Sequence, residues 1–86
     1  MKLKSMEPLK SVGCILEPEF CVLRPVFGDG KIDFDNPMFI SEGFMEDENL
    51  GDFFEFMSKE DRLILTISLT ELKLKGLYKE LREVRS

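Results

Sequence analysis

The side chains best suited to chemistry lie together in the stretch Gly28-Asp29-Gly30-Lys31-Ile32-Asp33-Phe34-Asp35-Asn36-Pro37. Carboxylates this close around a glycine have the makings of a calcium loop. An EF-hand loop draws oxygen ligands from its first, third and fifth residues, turns at a glycine in the sixth and closes on a bidentate Glu at the twelfth. With Asp29-Gly30 at the fifth and sixth places, Ile32 and Asp33 match the eighth and ninth. The first and third places then fall on Pro25 and Phe27, which have no side-chain oxygen, and the closing place falls on Asn36, which has no carboxylate. The stretch reads instead as a hairpin, because Asp and Gly both tolerate the positive φ of a tight turn. Asp33 and Asp35 share the wet face of a strand, with Asp29 and Glu42 nearby, and such a group holds a divalent ion weakly at best. No metal site and no cofactor is expected.

Two cysteines, Cys14 and Cys21, are the remaining reactive groups, and the chain has no His, Trp, Gln or Ala. Without His it lacks the commonest general base and metal ligand. Six residues between the thiols do not match the two-residue knuckle of a zinc site. If Glu17-Pro18-Glu19 is the turn of a hairpin, Cys14 lies opposite Val22 and Cys21 points to the other face, which is poor disulfide geometry. The thiols are expected to be reduced and buried as small hydrophobes. There is also no glycine-rich phosphate loop and no nucleophile elbow. An enzyme is not expected.

Charge is distributed unevenly. Residues 1–27 carry four basic and three acidic side chains, net +1; residues 28–58 carry one basic and nine acidic, net −8; residues 59–86 carry seven basic and five acidic, net +2. The whole net charge of −5 thus arises in the middle third. Carboxylates at this density attract a basic partner and repel nucleic acid, although a solvated, solubilising surface has the same composition. Plentiful Glu and Lys with few amides lean toward a thermophile's composition.

The elements that position these residues follow from periodicity. Eighty-six residues suffice for one domain and one core. Residues 1–10 read as a loose arm and 11–86 as a single α+β domain. Ser11–Leu16 and Phe20–Phe27 are rich in β-branched and aromatic residues around a proline turn. In 31–35 Ile32 and Phe34 alternate with charged residues, so a strand is expected there, with Phe27 facing Ile32 and Pro25 facing Phe34 on the core side. Residues 38–40 add a short strand. Residues 45–57 read as a helix with Leu50, Phe53, Phe54 and Met57 on one face and acidic residues in the first turn. Residues 62–70 are ambiguous: Ser58 and Asp61 could cap a helix, but Leu63, Leu65, Ile67 and Leu69 alternate with Ile64, Thr66, Ser68 and Thr70, and strand is preferred. Residues 70–85 form a helix burying Leu74, Leu77, Tyr78, Leu81 and Val84. The expected fold is a small antiparallel sheet with two helices packed on one face.

Two binding surfaces emerge. Phe44 and Phe56 flank the apolar stripe of the 45–57 helix, and Asp47 and Asp52 lie on the same element. Large aromatics at the rim of an acidic helix are typical interface anchors. The competing surface is the last helix, where Lys75, Lys79 and Arg82 form a basic stripe that could run along phosphates. The stretch Leu69–Leu81, with its Leu-Lys-Leu-Lys-Gly-Leu core, is similar to the helix that ends a winged-helix domain. That resemblance implies a nucleic-acid-binding module, but it departs from the family in that no wing strands follow the helix. With no apolar run long enough to span a bilayer and no signal-peptide pattern, a cytoplasmic protein without membrane contact is expected. The preferred reading is a small acidic protein-binding module, of adaptor or inhibitor type, docking on a basic protein surface. A homodimer is open.

Overall fold

A computed structural model describes residues 2–41 and 54–86. Four short strands, β1 (Glu7–Leu9), β2 (Cys14–Glu17), β3 (Val22–Pro25) and β4 (Met38–Phe39), form an antiparallel meander in the spatial order β1-β2-β3-β4. One long helix, α1 (Lys59–Arg85, 27 residues), follows. The α+β class is thus observed with one packed helix among the described residues. Most of the second expected helix, including Asp47 and Asp52, lies outside them, as does Phe44 just before it.

Most buried side chains of the sheet lie on one face, with Val22 buried on the other. Leu16 pairs with Leu23 and Leu9 with Cys14, so these side chains point the same way from neighbouring strands. Leu9, Leu16 and Leu23 join Cys21, Ile40, Met57 and Leu65 in one buried cluster. Arg24 alternates to the opposite face, where its Nε donates to Glu17 Oε1 at 3.0 Å and its guanidinium lies 5.2 Å from the Phe34 ring centroid.

The strand β1 falls inside the segment expected to be a loose arm. Glu-Pro-Leu has little strand signal, and Pro8 cannot donate to a ladder; it is accommodated because β1 is an edge. The burial of Leu9 fixes the element. A short 3-10 turn, Lys10–Val12, then reverses the chain into β2.

Both hairpins differ in register from the sequence expectation. Glu17 pairs with Val22, leaving a loop of Pro18 to Cys21, so Cys14 lies opposite Pro25 and not Val22. Cys21 ends that loop with φ 51°, an unusual conformation for a side-chain-bearing residue, and its carbonyl accepts from Ile40 N at 3.1 Å. In the second hairpin Val26 bridges Ile32, and Phe27 N donates to Lys31 O at 2.8 Å. The loop therefore has three residues, Gly28 to Gly30. Gly30 N donates to Phe27 O at 2.9 Å and Gly30 takes φ 88°, the arrangement of a turn closed by a left-handed glycine. A one-residue slip exchanges the two faces of a strand. Phe27 and Phe34 accordingly stand in solvent instead of in the core, and 31–35 forms a single bridge in place of a strand.

The largest correction is at residues 62–70, which are helical throughout. Ser58 is the N-cap, its Oγ accepting from Asp61 N at 3.2 Å. On α1 the buried positions are Asp61, Leu65 and Ser68, at i, i+4 and i+7. Two of the three are polar, and Ile64 and Leu69 pack partly buried beside them, so the apolar residues do not fall on one narrow stripe. The second half of the expectation also changes: Leu74, Leu77, Tyr78, Leu81 and Val84 are all exposed. Beyond Leu69 no side chain of α1 is buried, and the helix accounts for a molecule 50 Å long and only 27 by 26 Å across.

Candidate functional site

In the Asp29–Asn36 loop, Asp29 and Asp33 turn their carboxylates onto the loop itself. Asp29 Oδ1 accepts from Lys31 N at 3.0 Å, Asp33 Oδ1 from Asp35 N at 3.0 Å, and Asp33 Oδ2 from Asn36 Nδ2 at 2.8 Å. The first two are Asx turns, in which a short acidic side chain replaces a backbone acceptor, and the third is a side-chain pair across the same loop. Among the described residues, no three His, Cys, Asp or Glu side chains gather where a metal ion could be held.

The thiols are also structural in placement. Cys14 is half-buried and Cys21 fully buried, and both are free. Burial pushes the Cys14 thiol above its ordinary pKa. It does the same at Cys21, opposed in part by a hydrogen bond with Ser68. A neutral thiol in both places is a poor nucleophile.

Helix α1 is seated on the sheet through two polar contacts that sequence reading did not find. At its start, Asp61 Oδ2 accepts from Ser11 N at 3.0 Å and from Ser11 Oγ, while Ser11 Oγ accepts from Ser58 N at 3.0 Å. Two turns on, Ser68 Oγ donates to Pro18 O at 2.9 Å beside Cys21. Each joins residues fifty apart in sequence, so no local pattern announces either one. Leu65 packs between them with no exposed surface. These contacts hold the first half of α1 and, through it, aim the second half away from the sheet.

Of the expected partner-binding residues, Phe56 is described: it stands at a turn before α1 with 77% of its surface exposed. Asp47, Asp52 and Phe44 lie outside the described residues. Phe56 is not alone, since Phe20, Phe27, Phe34 and Phe39 are each more than half exposed. The alternative nucleic-acid set, Lys75, Lys79 and Arg82, is exposed along the free half of α1. Lys75 borders an open groove of about 640 Å³ whose other walls include Lys2, Lys4, Pro18 and Tyr78, so the arm contributes cations that sequence reading had not connected with this helix. Glu19 and Glu71 line the same groove and oppose a purely anionic ligand.

No described helix is long and apolar enough to cross a membrane. Compared with known proteins, the chain matches no family model, no curated protein and no solved structure.

Proposed function

We propose that this protein is a small, non-enzymatic binding module that docks on a protein with a basic surface. The observation that carries the reading is aromatic exposure: Phe20, Phe27, Phe34, Phe39 and Phe56 all present more than half of their surface to solvent. Exposed large aromatics on a small body are the usual anchors of a protein interface, where they fill pockets on the partner. The net −8 of residues 28–58 supplies the complementary long-range term. It steers a basic partner in and raises the association rate, while an anchor such as Phe56 slows release.

A second reading, nucleic-acid binding through Lys75, Lys79 and Arg82, is favoured by one observation: Lys2 and Lys4 lie on the same groove as Lys75. Against it stand the net charge of −5 and the two glutamates on that groove.

Affinity capture on wild type, Phe56→Ala, Asp47→Lys/Asp52→Lys and a Lys75/Lys79/Arg82→Gln bait, with and without nuclease and across a salt series, separates the readings. Docking requires the same nuclease-resistant proteins to be captured by wild type and the Gln bait. They should be reduced by the Phe56 and acidic changes and released by salt. Loss on the Gln bait alone, or on nuclease treatment, overturns it.

A further inference from the structure

The helix α1 carries two faces. At about 100° per residue, Asp61, Leu65 and Ser68 fall on one line along the cylinder, the line seated on the sheet. Leu63, Ile67, Thr70, Leu74, Leu77, Leu81 and Val84 fall on a second line, on the opposite side. Their spacing alternates four, three, four, three, four, three, the 3.5-residue repeat of a coiled-coil seam, with Ile67, Leu74 and Leu81 at a and Leu63, Thr70, Leu77 and Val84 at d. The apolar members are open to solvent, from 41% at Leu81 to 83% at Val84. The seam is about 32 Å long at 1.5 Å per residue.

A helix in this condition is not self-sufficient. From residue 70 onward no side chain of α1 is fully buried, and Gly76 places there the poorest helix former but proline. Tertiary packing of an apolar face supplies most helical stability in proteins. A 3.5-residue repeat, sustained here over three turns of the heptad, calls for another helix running alongside and not for a sheet or a pocket.

We propose that this helix is a second copy of the same chain, paired with α1 in parallel and in register. Two observations select the second copy. First, the flanks are self-complementary. In a parallel pair a g residue meets the e residue five further along the other helix, so Glu80 faces Arg85 of the second copy and Arg85 faces its Glu80. Thr66 meets Glu71 and Lys73 meets Tyr78, so no like charges oppose one another. Second, the seam lies on the side of α1 opposite Asp61, Leu65 and Ser68, so the sheet bodies point away from the pair, with Leu74 at its edge bordering the groove walled by residues 2–5. The two-fold axis makes both halves of the interface identical. The inference is independent of docking through Phe56, which stands outside the seam.

Sedimentation equilibrium of the full chain at about 0.1 mM, where even a micromolar dimer is formed, should return twice the 10.0-kDa chain mass. Leu74→Lys/Leu81→Lys should return one chain mass while the Cys21 thiol stays protected, which shows that the sheet is still folded. Glu80→Arg and Arg85→Glu should each weaken the dimer several-fold, and the double exchange should restore it. A wild-type monomer, a mass other than two chains, or a dimer indifferent to the Leu74/Leu81 change overturns the proposal. So does failure of the double exchange to restore association, because an antiparallel pair does not bring positions 80 and 85 together. Phe56→Ala should leave the mass unchanged, so loss of docking and loss of dimer are read separately.

Discussion

Ser11 and Asp61, fifty residues apart, are joined twice: both the N–H and the hydroxyl of Ser11 donate to Asp61 Oδ2. In an ordinary capping box the N3 carboxylate returns to the N-cap amide itself. Here Asp61 occupies N3 and Ser11 is interposed, its Oγ accepting the Ser58 amide. The device that caps α1 therefore also ties it to the turn between β1 and β2. Asp61→Ala removes the shared acceptor of two donors on exposed Ser11, which then turn to water, and should destabilise by about 1 kcal/mol in urea unfolding. Glu60→Ala, one residue away and exposed, should change stability by less than about 0.5 kcal/mol. Equal midpoints for the two variants would show that the clamp contributes nothing.

Ser68 provides the second seat. Its hydroxyl is wholly buried and satisfies Pro18 O, the carbonyl at the start of the loop that ends in Cys21. Ser68→Ala should cost about 1 kcal/mol, because the buried Pro18 carbonyl loses its shorter bond and keeps only the Cys21 N–H at 3.4 Å. Thr66 and Thr70 bond back to the carbonyls of Arg62 and Thr66 within the helix and face solvent. Their alanine variants should be nearly neutral or slightly stabilising, since alanine is the better helix former. Thermal melts of the three variants test this contrast.

These two contacts also explain what could and could not be read in advance. The β2–β3 hairpin and the turn at Asp29-Gly30 were legible from β-branched residues, prolines and glycines, whereas β1 lay in the expected loose arm and the cap at Ser58 and Asp61 was visible but set aside in favour of a strand. The helix over 62–70 was not legible. A single apolar stripe is the template for an amphipathic helix, whereas α1 uses two opposed stripes, and the one that meets the sheet has Asp61, Leu65 and Ser68 at its centre with Ile64 and Leu69 partly buried beside them. Leu63 and Ile67 belong to the outer line, so hydrophobic residues surround the cylinder and alternation prevails. Register was lost at both hairpins for a related reason. Loop length depends on a left-handed residue, Cys21 in one and Gly30 in the other, and a buried cysteine does not signal a turn. Exposure of Phe27 and Phe34 follows directly from that slip. The groove that brings Lys2 and Lys4 to Lys75 depends on tertiary placement alone.

The turn at Gly30 makes a separate prediction. A Cβ at this position would meet nothing within 4 Å, so any cost of substitution comes from the positive φ alone. Gly30→Ala should destabilise by about 1 kcal/mol, and Gly30→Asn by less, because Asn tolerates the left-handed region. Since Asp29 and Asp33 are engaged by backbone amides, calorimetric titration with calcium should show no site tighter than about millimolar. A micromolar isotherm abolished by Asp29→Asn/Asp33→Asn contradicts the turn reading.

The thiols set a limit at alkaline pH. Burial raises both pKa values in the folded state, so the unfolded chain gives up these protons first as pH rises. The folded state then binds more protons than the unfolded one, and stability falls with pH. The contribution is fully present below the ordinary thiol range, about pH 8.5, and is lost progressively above it. Melting temperature should decline from there upward, and Cys14→Ala should flatten part of the decline. Thiol reagents should label Cys21 slowly in the native protein and fast in denaturant.

The leucines of α1 divide by face. Leu65, fully buried between the two seats, should cost about 2–5 kcal/mol as Leu65→Ala, through the cavity left against Leu9, Leu16 and Leu23. In a domain of this size such a loss can abolish folding. Leu77 and Leu81 were expected from periodicity to be equally costly, but they stand open on the outer line. Within one chain Leu77→Ala should be close to neutral. If the outer line is covered by a second copy, its effect appears only as a concentration-dependent melt: the mutant and wild type converge on dilution and separate when concentrated. Leu65→Ala, by contrast, should remain destabilised at every concentration. Thermal denaturation over a hundredfold dilution series reads both behaviours together. A Leu77→Ala penalty that persists undiminished at the lowest concentration would place that side chain in the chain's own core and overturn the two-faced description of α1.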